Sequence, residues 1–299
     1  GEPQIISLHG SDQPQPALMQ LEDRNIYGSI LLSPNGRYLS QLSPACGEGP
    51  GGSVRLWNVE MADLLALALD WESCGPHAHA FTPDSQVLII TDETEIRILN
   101  IPELIATATD SVNRIAPEEI GNHIRYDHDQ RIEGSILSPD GTRLAIISRE
   151  WSYERADDPN RATRVDVLNI TQLPTILEGA QLSEFAITIP TASTAVFSPD
   201  NSGLLTNTGL WDTTTGERLA NFRGEIAAFT PDGILLAVAQ AESVTVWDVE
   251  LLRQGIETPL ITLPASGVRS LSFSADSRIL YLERNTGIQL WGIPQVMPP

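Results

Sequence analysis

The sequence predicts an all-β protein built from six small antiparallel sheets, and three observations carry that prediction. A four-residue turn recurs six times: Ser33-Pro34-Asn35-Gly36, Thr82-Pro83-Asp84-Ser85, Ser138-Pro139-Asp140-Gly141, Ser198-Pro199-Asp200-Asn201, Thr230-Pro231-Asp232-Gly233 and Ser274-Ala275-Asp276-Ser277. After each turn comes a run closing in Trp or Leu and usually Asn or Asp: VRLWN (54–58), IRILN (96–100), VDVLN (165–169), GLWD (209–212), VTVWD (244–248) and IQLWG (288–292). The stretch from Ala227 to Glu250 shows how one repeat is composed. An apolar run meets the turn at Thr230, a second runs from Ile234 to Ala239, and Val244 to Asp248 alternates in type. Short β-rich runs separated by turn chemistry read as an antiparallel meander. Pro231 supplies the fixed φ of the first corner, and Gly233 tolerates positive φ at the exit.

Spacing orders the repeats. Asp84 to Leu99, Asp232 to Trp247 and Asp276 to Trp291 are each 15 positions, the basic length. Asn35 to Trp57 is 22 and Asp140 to Leu168 is 28, so the first and third repeats carry insertions. Asp200 to Trp211 is 11, a trim that leaves Asn207-Thr208-Gly209 as a minimal hairpin. At about 50 residues each, the repeats fall in the range of stacked arrays.

Four-stranded sheets of this kind resemble the blades of a WD40-type β-propeller over nearly the whole chain. Trp57-Asn58, Trp211-Asp212 and Trp247-Asp248 match the family's signature pair, while Leu99-Asn100, Leu168-Asn169 and Trp291-Gly292 depart from it. The Gly-His dipeptide ahead of each blade and the regular Asp between the second and third strands are absent. The resemblance implies a six-bladed propeller of four-stranded antiparallel sheets at 26–299, closed by an N-terminal segment at 1–25. It also implies a rigid, non-catalytic platform that binds proteins through loops on one face.

Taken in order, Gly1 to Asn25 holds two short strands, Gln4 to Leu8 and Ala17 to Leu21, around a Pro/Gln-rich link. The last repeat ends after its third strand, so Ala17 to Leu21 is expected to fill the missing outer position and remove an open edge. Gln4 to Leu8 is then spare, on the surface or paired with another subunit. Blade one (Ile26 to Leu69) carries the Gly/Pro-rich insertion Ser43 to Ser53, a loop by composition. Its outer strand falls in Leu64 to Leu69. Cys46 lies in that loop and Cys74 in the next connection, on one face of a propeller blade; they are either a disulfide or two thiols.

Blade two (His77 to Thr109) contains the turn Asp92-Glu93-Thr94-Glu95, which lacks a full calcium ligand set and reads as a solvated tip. His77 and His79 share a face without a third ligand and read as structural. The connection from Leu99 to Asp140 is swollen and includes His123-Ile124-Arg125-Tyr126-Asp127-His128-Asp129, read as a polar loop contacting a partner rather than a metal site. Blade three (Gly134 to Leu177) inserts a charged loop with Trp151, Tyr153 and Arg155. Aromatic residues in a charged loop mark contact surfaces, the alternative being that Trp151 folds back onto the blade rim. Blades four to six (Thr191 to Ile293) are little decorated. The expected partner-binding residues are therefore Arg125, Tyr126, Trp151, Tyr153 and Arg155.

Charge narrows the function classes. The chain has 39 acidic and 18 basic residues, every one of the latter Arg, for a net charge of -21. Nucleic acid, which needs a basic footprint, is disfavoured as a partner. Acidity reads either as solubility through self-repulsion or as an extracytoplasmic, salty setting, with a cytoplasmic location as the alternative. No apolar run is long enough for a membrane span, and the first residues do not read as a signal peptide. No nucleophile elbow, phosphate loop, paired catalytic carboxylates or metal series stands out, so neither enzyme nor cofactor is expected. The expected function is a protein-binding scaffold, its partner another protein or another copy. The rival readings are a structural subunit of an extracellular assembly and a degenerate propeller enzyme.

Overall fold

The computed structural model describes residues 4–5, 19–20, 29–43, 53–59, 63–66, 78–107, 121–127, 129–151, 162–174, 176–221, 226–285 and 287–292. The chain divides into two compact units, Gly1–Ile132 with Leu173–Ala180, and Glu133–Gln172 with Gln181–Pro299.

In the first unit, β1 (Gln4–Ile5) pairs with β2 (Met19–Gln20). Four strands, β3 (Ser29–Leu32), β4 (Tyr38–Ser43), β5 (Ser53–Asn58) and β6 (Asp63–Ala66), form an antiparallel meander. The next sheet contains β7 (Ala78–Phe81), β8 (Val87–Thr91), β9 (Glu95–Asn100) and β10 (Asn122–Arg125). Between β9 and β10 lies the helix α1 (Ile101–Thr107). In the second unit the sheets are β11 (Gln130–Leu137), β12 (Arg143–Glu150), β13 (Thr163–Asn169) and β15 (Ala186–Pro190); β16 (Ala195–Phe197), β17 (Gly203–Thr206), β18 (Gly209–Asp212) and β19 (Arg218–Ala220); β20 (Ile226–Phe229), β21 (Leu235–Ala239), β22 (Ser243–Asp248) and β23 (Ile261–Pro264); and β24 (Val268–Phe273), β25 (Ile279–Arg284) and β26 (Gly287–Gly292). One strand crosses over: β14 (Ile176–Glu178) lies parallel to β10 in the first unit, and α2 (Leu182–Phe185) then leads back to β15. The protein is thus all-β, with several four-stranded antiparallel sheets. All six predicted Trp/Leu runs are third strands.

Every turn uses one hydrogen-bond plan, which explains the recurring Ser/Thr-Pro-Asp pattern. The first residue's hydroxyl donates to the third residue's side chain, as in Thr82–Asp84 (2.6 Å), Ser138–Asp140 (2.6 Å) and Ser274–Asp276 (2.6 Å). The same hydroxyl accepts the backbone N–H five residues on, at 2.9 Å from Tyr38, 3.0 Å from Val87 and 2.9 Å from Leu235. The third residue's side chain accepts from the N–H two residues later, such as Gln86 and Thr142 (both 3.0 Å). Side-chain oxygens thereby satisfy the donors that a tight turn leaves open. The fourth residue has positive φ in all six turns and alternates Gly36, Ser85, Gly141, Asn201, Gly233, Ser277. The polar ones bond sideways to the preceding turn: Asn35 N–H donates to Ser85 Oγ (3.1 Å), Asp140 N–H to Asn201 Oδ1 (3.0 Å), and Asp232 bonds Ser277 through its side chain.

The Asn or Asp that ends a third strand caps the segment after it. Asn100 accepts from Glu103 N–H at the start of α1 (3.0 Å), and Asp248 from Leu251 N–H at the start of α3 (Val249–Arg253; 3.0 Å). Asp212 accepts from Thr214 and Thr215 N–H (2.8 and 2.7 Å). A short polar acceptor at this place fills an orphan donor of the next turn.

Core residues lie between sheets, so central strands are apolar on both faces. Leu42, Val54 and Leu56 pack against Phe81, Leu88, Ile90 and Leu99, with Ile101 and Leu104 of α1 closing one end. In the second unit Leu204 packs toward Val165 and Val167, while its neighbour Leu205 packs toward Leu236 and Val238. Ala237 and Val246 in turn meet Leu280 and Leu282. Each such side chain removed from water contributes roughly 1.5–3 kcal/mol.

Four expectations change. Ile101–Thr107 is a helix, capped by Asn100, rather than the outer strand of the second repeat; that strand is β10, from the segment read as a loop. Ile176 and Leu177 do not complete the third repeat, because β10 offers a free edge to them and β15 takes the outer place. Gln4 and Ile5 are not spare: Gln4 faces Gln20 and Ile5 faces Met19. Among the described residues the last sheet has three strands, and β2 is bonded to β1 rather than to β26.

Candidate partner-binding surface

The swollen connection of the first unit is built around one carboxylate. Alternation along β9 puts Glu95 and Arg97 on the same face, and antiparallel register sets Arg125 opposite Glu95 and His123 opposite Arg97. Glu95 Oε1 accepts from Arg97 Nε (2.6 Å) and His123 Nδ1 (2.7 Å), and Oε2 from Arg125 Nε (3.3 Å). Arg125 also lies 3.9 Å from Glu178 of β14. His123 is buried at 2% exposure, and the Glu95 side chain is 13% exposed. Burial alone would raise the Glu95 pKa; hydrogen bonds from His123 and Arg97, with the Arg97 charge, outweigh it and hold the carboxyl at about 2. Charge-assisted bonds of this kind fasten β10 to β9, and Arg125 extends the set to β14.

The neighbouring tip is likewise closed on itself. Asp92 accepts from Thr94 N–H (2.6 Å) and Glu95 N–H (2.7 Å), so the acidic turn satisfies its own donors. Among the described residues, no three of His, Cys, Asp or Glu gather as a metal site. Gly179, just past β14, leaves no room for a side chain: a Cβ there would sit 2.5 Å from the Asp127 carboxyl carbon.

The expected contact residues separate. Arg125 is partly exposed and belongs to the Glu95 cluster. Tyr126 is buried at 7% exposure, its N–H donating to the Thr94 carbonyl (2.9 Å), which makes it a packing residue at the strand end. Trp151 follows β12 and is half-buried. Tyr153, Arg155, Cys46, Cys74 and His77 lie outside the described residues.

His79 is structural. Its Nε2 is 3.1 Å from Ser29 Oγ and its Nδ1 2.9 Å from Ser40 Oγ, so both nitrogens bond to the neighbouring sheet. Burial lowers its pKa, favouring the neutral ring. Sequence reasoning missed the two centres of these networks, Glu95 and Ser40. The available signal was a charged pair, Glu95 and Arg97, inside an otherwise apolar strand, which calls for a partner from outside the repeat.

No protein-family model matches the sequence, and no curated protein matches it. Similar folds occur among solved structures. A crystal structure of the eukaryotic initiation factor aligns over 93% of this chain and 66% of that one, with a TM-score of 0.59 and 15% identity. A crystal structure of a mitotic checkpoint complex aligns over 95% of this chain and 82% of that one, with a TM-score of 0.51 and 16% identity. The chain thus spans just under two thirds of the first of these. The likeness is one of fold: the protein has a β-propeller-like all-β architecture.

Proposed function

We propose that this chain is a six-bladed, WD40-like propeller acting as a non-catalytic platform for a protein partner, bound through the elaborated connections of its second and third repeats. The observation that carries this reading is where the fold departs from its plan. Between β9 and β15 the chain adds α1, β14 and α2 to the repeat, whereas among the described residues β16 to β26 add only α3. Such additions to a repetitive scaffold are where binding residues concentrate. The similar structure of a mitotic checkpoint complex, a protein assembly by its own description, supports a protein partner. The acidic, lysine-free composition supports an extracytoplasmic setting, with the cytoplasm as the alternative.

Ring closure belongs to the same proposal. The last sheet exposes Ile288 and Leu290 (71% and 59%). Gln41, buried in the first sheet, and Gln289 and Trp291 in the last each have side-chain polar atoms without a partner among the described residues. A fourth strand on β26, supplied by β2 through the edge that does not face β1, would cover Ile288 and Leu290 within one chain. A second copy covering them instead would make the protein a self-assembling structural subunit, and light scattering of the purified chain separates monomer from oligomer.

The test starts with a partner captured from the source organism and then purified. Trp151→Ala is expected to weaken its binding by at least ~10-fold, about 1.4 kcal/mol, measured well below the variant's own melting temperature because Trp151 is half-buried. Equal affinity of the variant contradicts the assignment of this surface.

A further inference from the structure

We infer that a cavity in the second unit, beside Arg269, receives the side-chain carboxylate of a glutamate from a protein partner. The inference rests on the platform reading and supplies a second, chemically defined contact for it. The cavity holds about 220 Å³ and opens where β16, β20 and β24, the first strands of three successive sheets, lie with β17. Val196, Leu205, Ile226, Ala227 and Leu271 give it an apolar wall, and Thr194, Thr206, Arg269 and Ser270 add polar groups.

The cation is the informative feature. Arg143, Arg149, Arg164 and Arg253 of the same unit all hold partners, respectively Thr213, Glu133, Asp166 and Asp200. The Arg269 side chain makes no hydrogen bond or ion pair with any described residue; the same holds for Arg278 and Arg284, but neither of those lines the cavity. Ser270, the next residue, donates to Glu283 across the same sheet (2.7 Å). In a chain with 39 acidic residues and 18 arginines, an exposed guanidinium that borders a cavity and has no carboxylate among the described residues is open to an external anion. Guanidinium presents a planar fork suited to a carboxylate, and Thr194 offers a hydroxyl beside it.

Size and lining select among anions. Sites that bury a whole small molecule usually hold about 300–1,000 Å³, so this cavity suits one side chain rather than a free ligand. A phosphate dianion calls for more than one positive charge, whereas the lining holds a single cation, Arg269, with hydroxyl residues and an aliphatic wall beside it. A glutamate side chain has the matching parts, two methylenes for the wall and one carboxylate for the fork.

The test uses N-acetyl-glutamate N-methylamide and its glutamine counterpart as probes, with the Nε–Hε resonances of the intact protein's arginines as the readout. The glutamate probe is expected to shift Arg269 saturably, leaving Arg278, which lies outside the cavity, unmoved. Shifts of the Leu271 and Ala227 methyls should fall at least 10-fold in Arg269→Gln. Equal effects of the two probes, or an Arg269 shift no larger than that of Arg278, overturn the inference. A partner that needs Trp151 but binds Arg269→Gln normally also overturns it while leaving the platform reading intact. Saturable carboxylate binding in a chain that engages no protein leaves the site and removes the platform.

Discussion

Replacing Gly209 with alanine is expected to lower the free energy of unfolding by about 4 kcal/mol. Gly209 opens β18 immediately after the two-residue Asn207–Thr208 loop, with φ of 144°. A Cβ there would lie 2.3 Å from the carbonyl oxygen of Ala220 on β19. The blocking atom is backbone and cannot swing aside as a side chain would, so β18 and β19 must part or the hairpin must reopen. Backbone strain and overpacking each cost about 1–3 kcal/mol. Gly255→Ala is the control: its φ is 79°, but nothing lies within 4 Å of the added atom, and only about 1 kcal/mol is expected. Urea unfolding of the two variants beside the parent measures both numbers. Similar losses in the two would show that conformational preference, not the close approach to β19, dominates at Gly209.

Glu95→Gln is expected to cost about 3 kcal/mol, because it leaves the Arg97 and Arg125 guanidiniums without their carboxylate at a largely buried site. The pH dependence identifies the cause. Glu95 has its pKa lowered from 4.5 to about 2 on folding, so its stabilisation is complete above roughly pH 4.5 and disappears as the pH falls through about 2. Stability of the parent should therefore fall toward that of Glu95→Gln across this window, and the difference between the curves should vanish in strong acid. Asp84, Asp140, Asp232 and Asp276 also have lowered pKa values, from hydrogen bonds within their turns, but these are common to both proteins and cancel. A difference that persists below pH 2 would mean that glutamine disturbs packing rather than charge.

The repeats were legible because each turn encodes its own geometry within five residues. Ser138, Asp140 and Gly141 specify donor, acceptor and positive φ without reference to the rest of the fold. Apolar pairs such as Leu204 and Leu205 likewise announce a strand covered on both faces. The sideways bonds from Ser85, Asn201 and Ser277 were also written in the sequence, as the alternation of Gly and polar residues at the fourth turn position. The site was harder to read. β10 is four residues with two charged or ionisable side chains, and its strand state depends on Glu95 and on β14, more than 50 residues away. Alternation in Asn122–Arg125 is too short to signal a strand. The helix α1 carried a local signal in its Asn100 cap and in Pro102 within the first turn, where the missing N–H costs nothing. Arg269 looks like any exposed arginine in sequence; only the fold places it at a cavity with no carboxylate bonded to its side chain among the described residues.

Amide hydrogen exchange at β26 tests most directly the proposal that β2 supplies a fourth strand to the last sheet. The amides of Gly287–Gly292 that do not bond to β25 are predicted to exchange as slowly as those in the interior of β22, at protein concentrations where light scattering reports a monomer. Exchange of those amides at the rate of an uncovered strand edge, with β22 still protected, would contradict it.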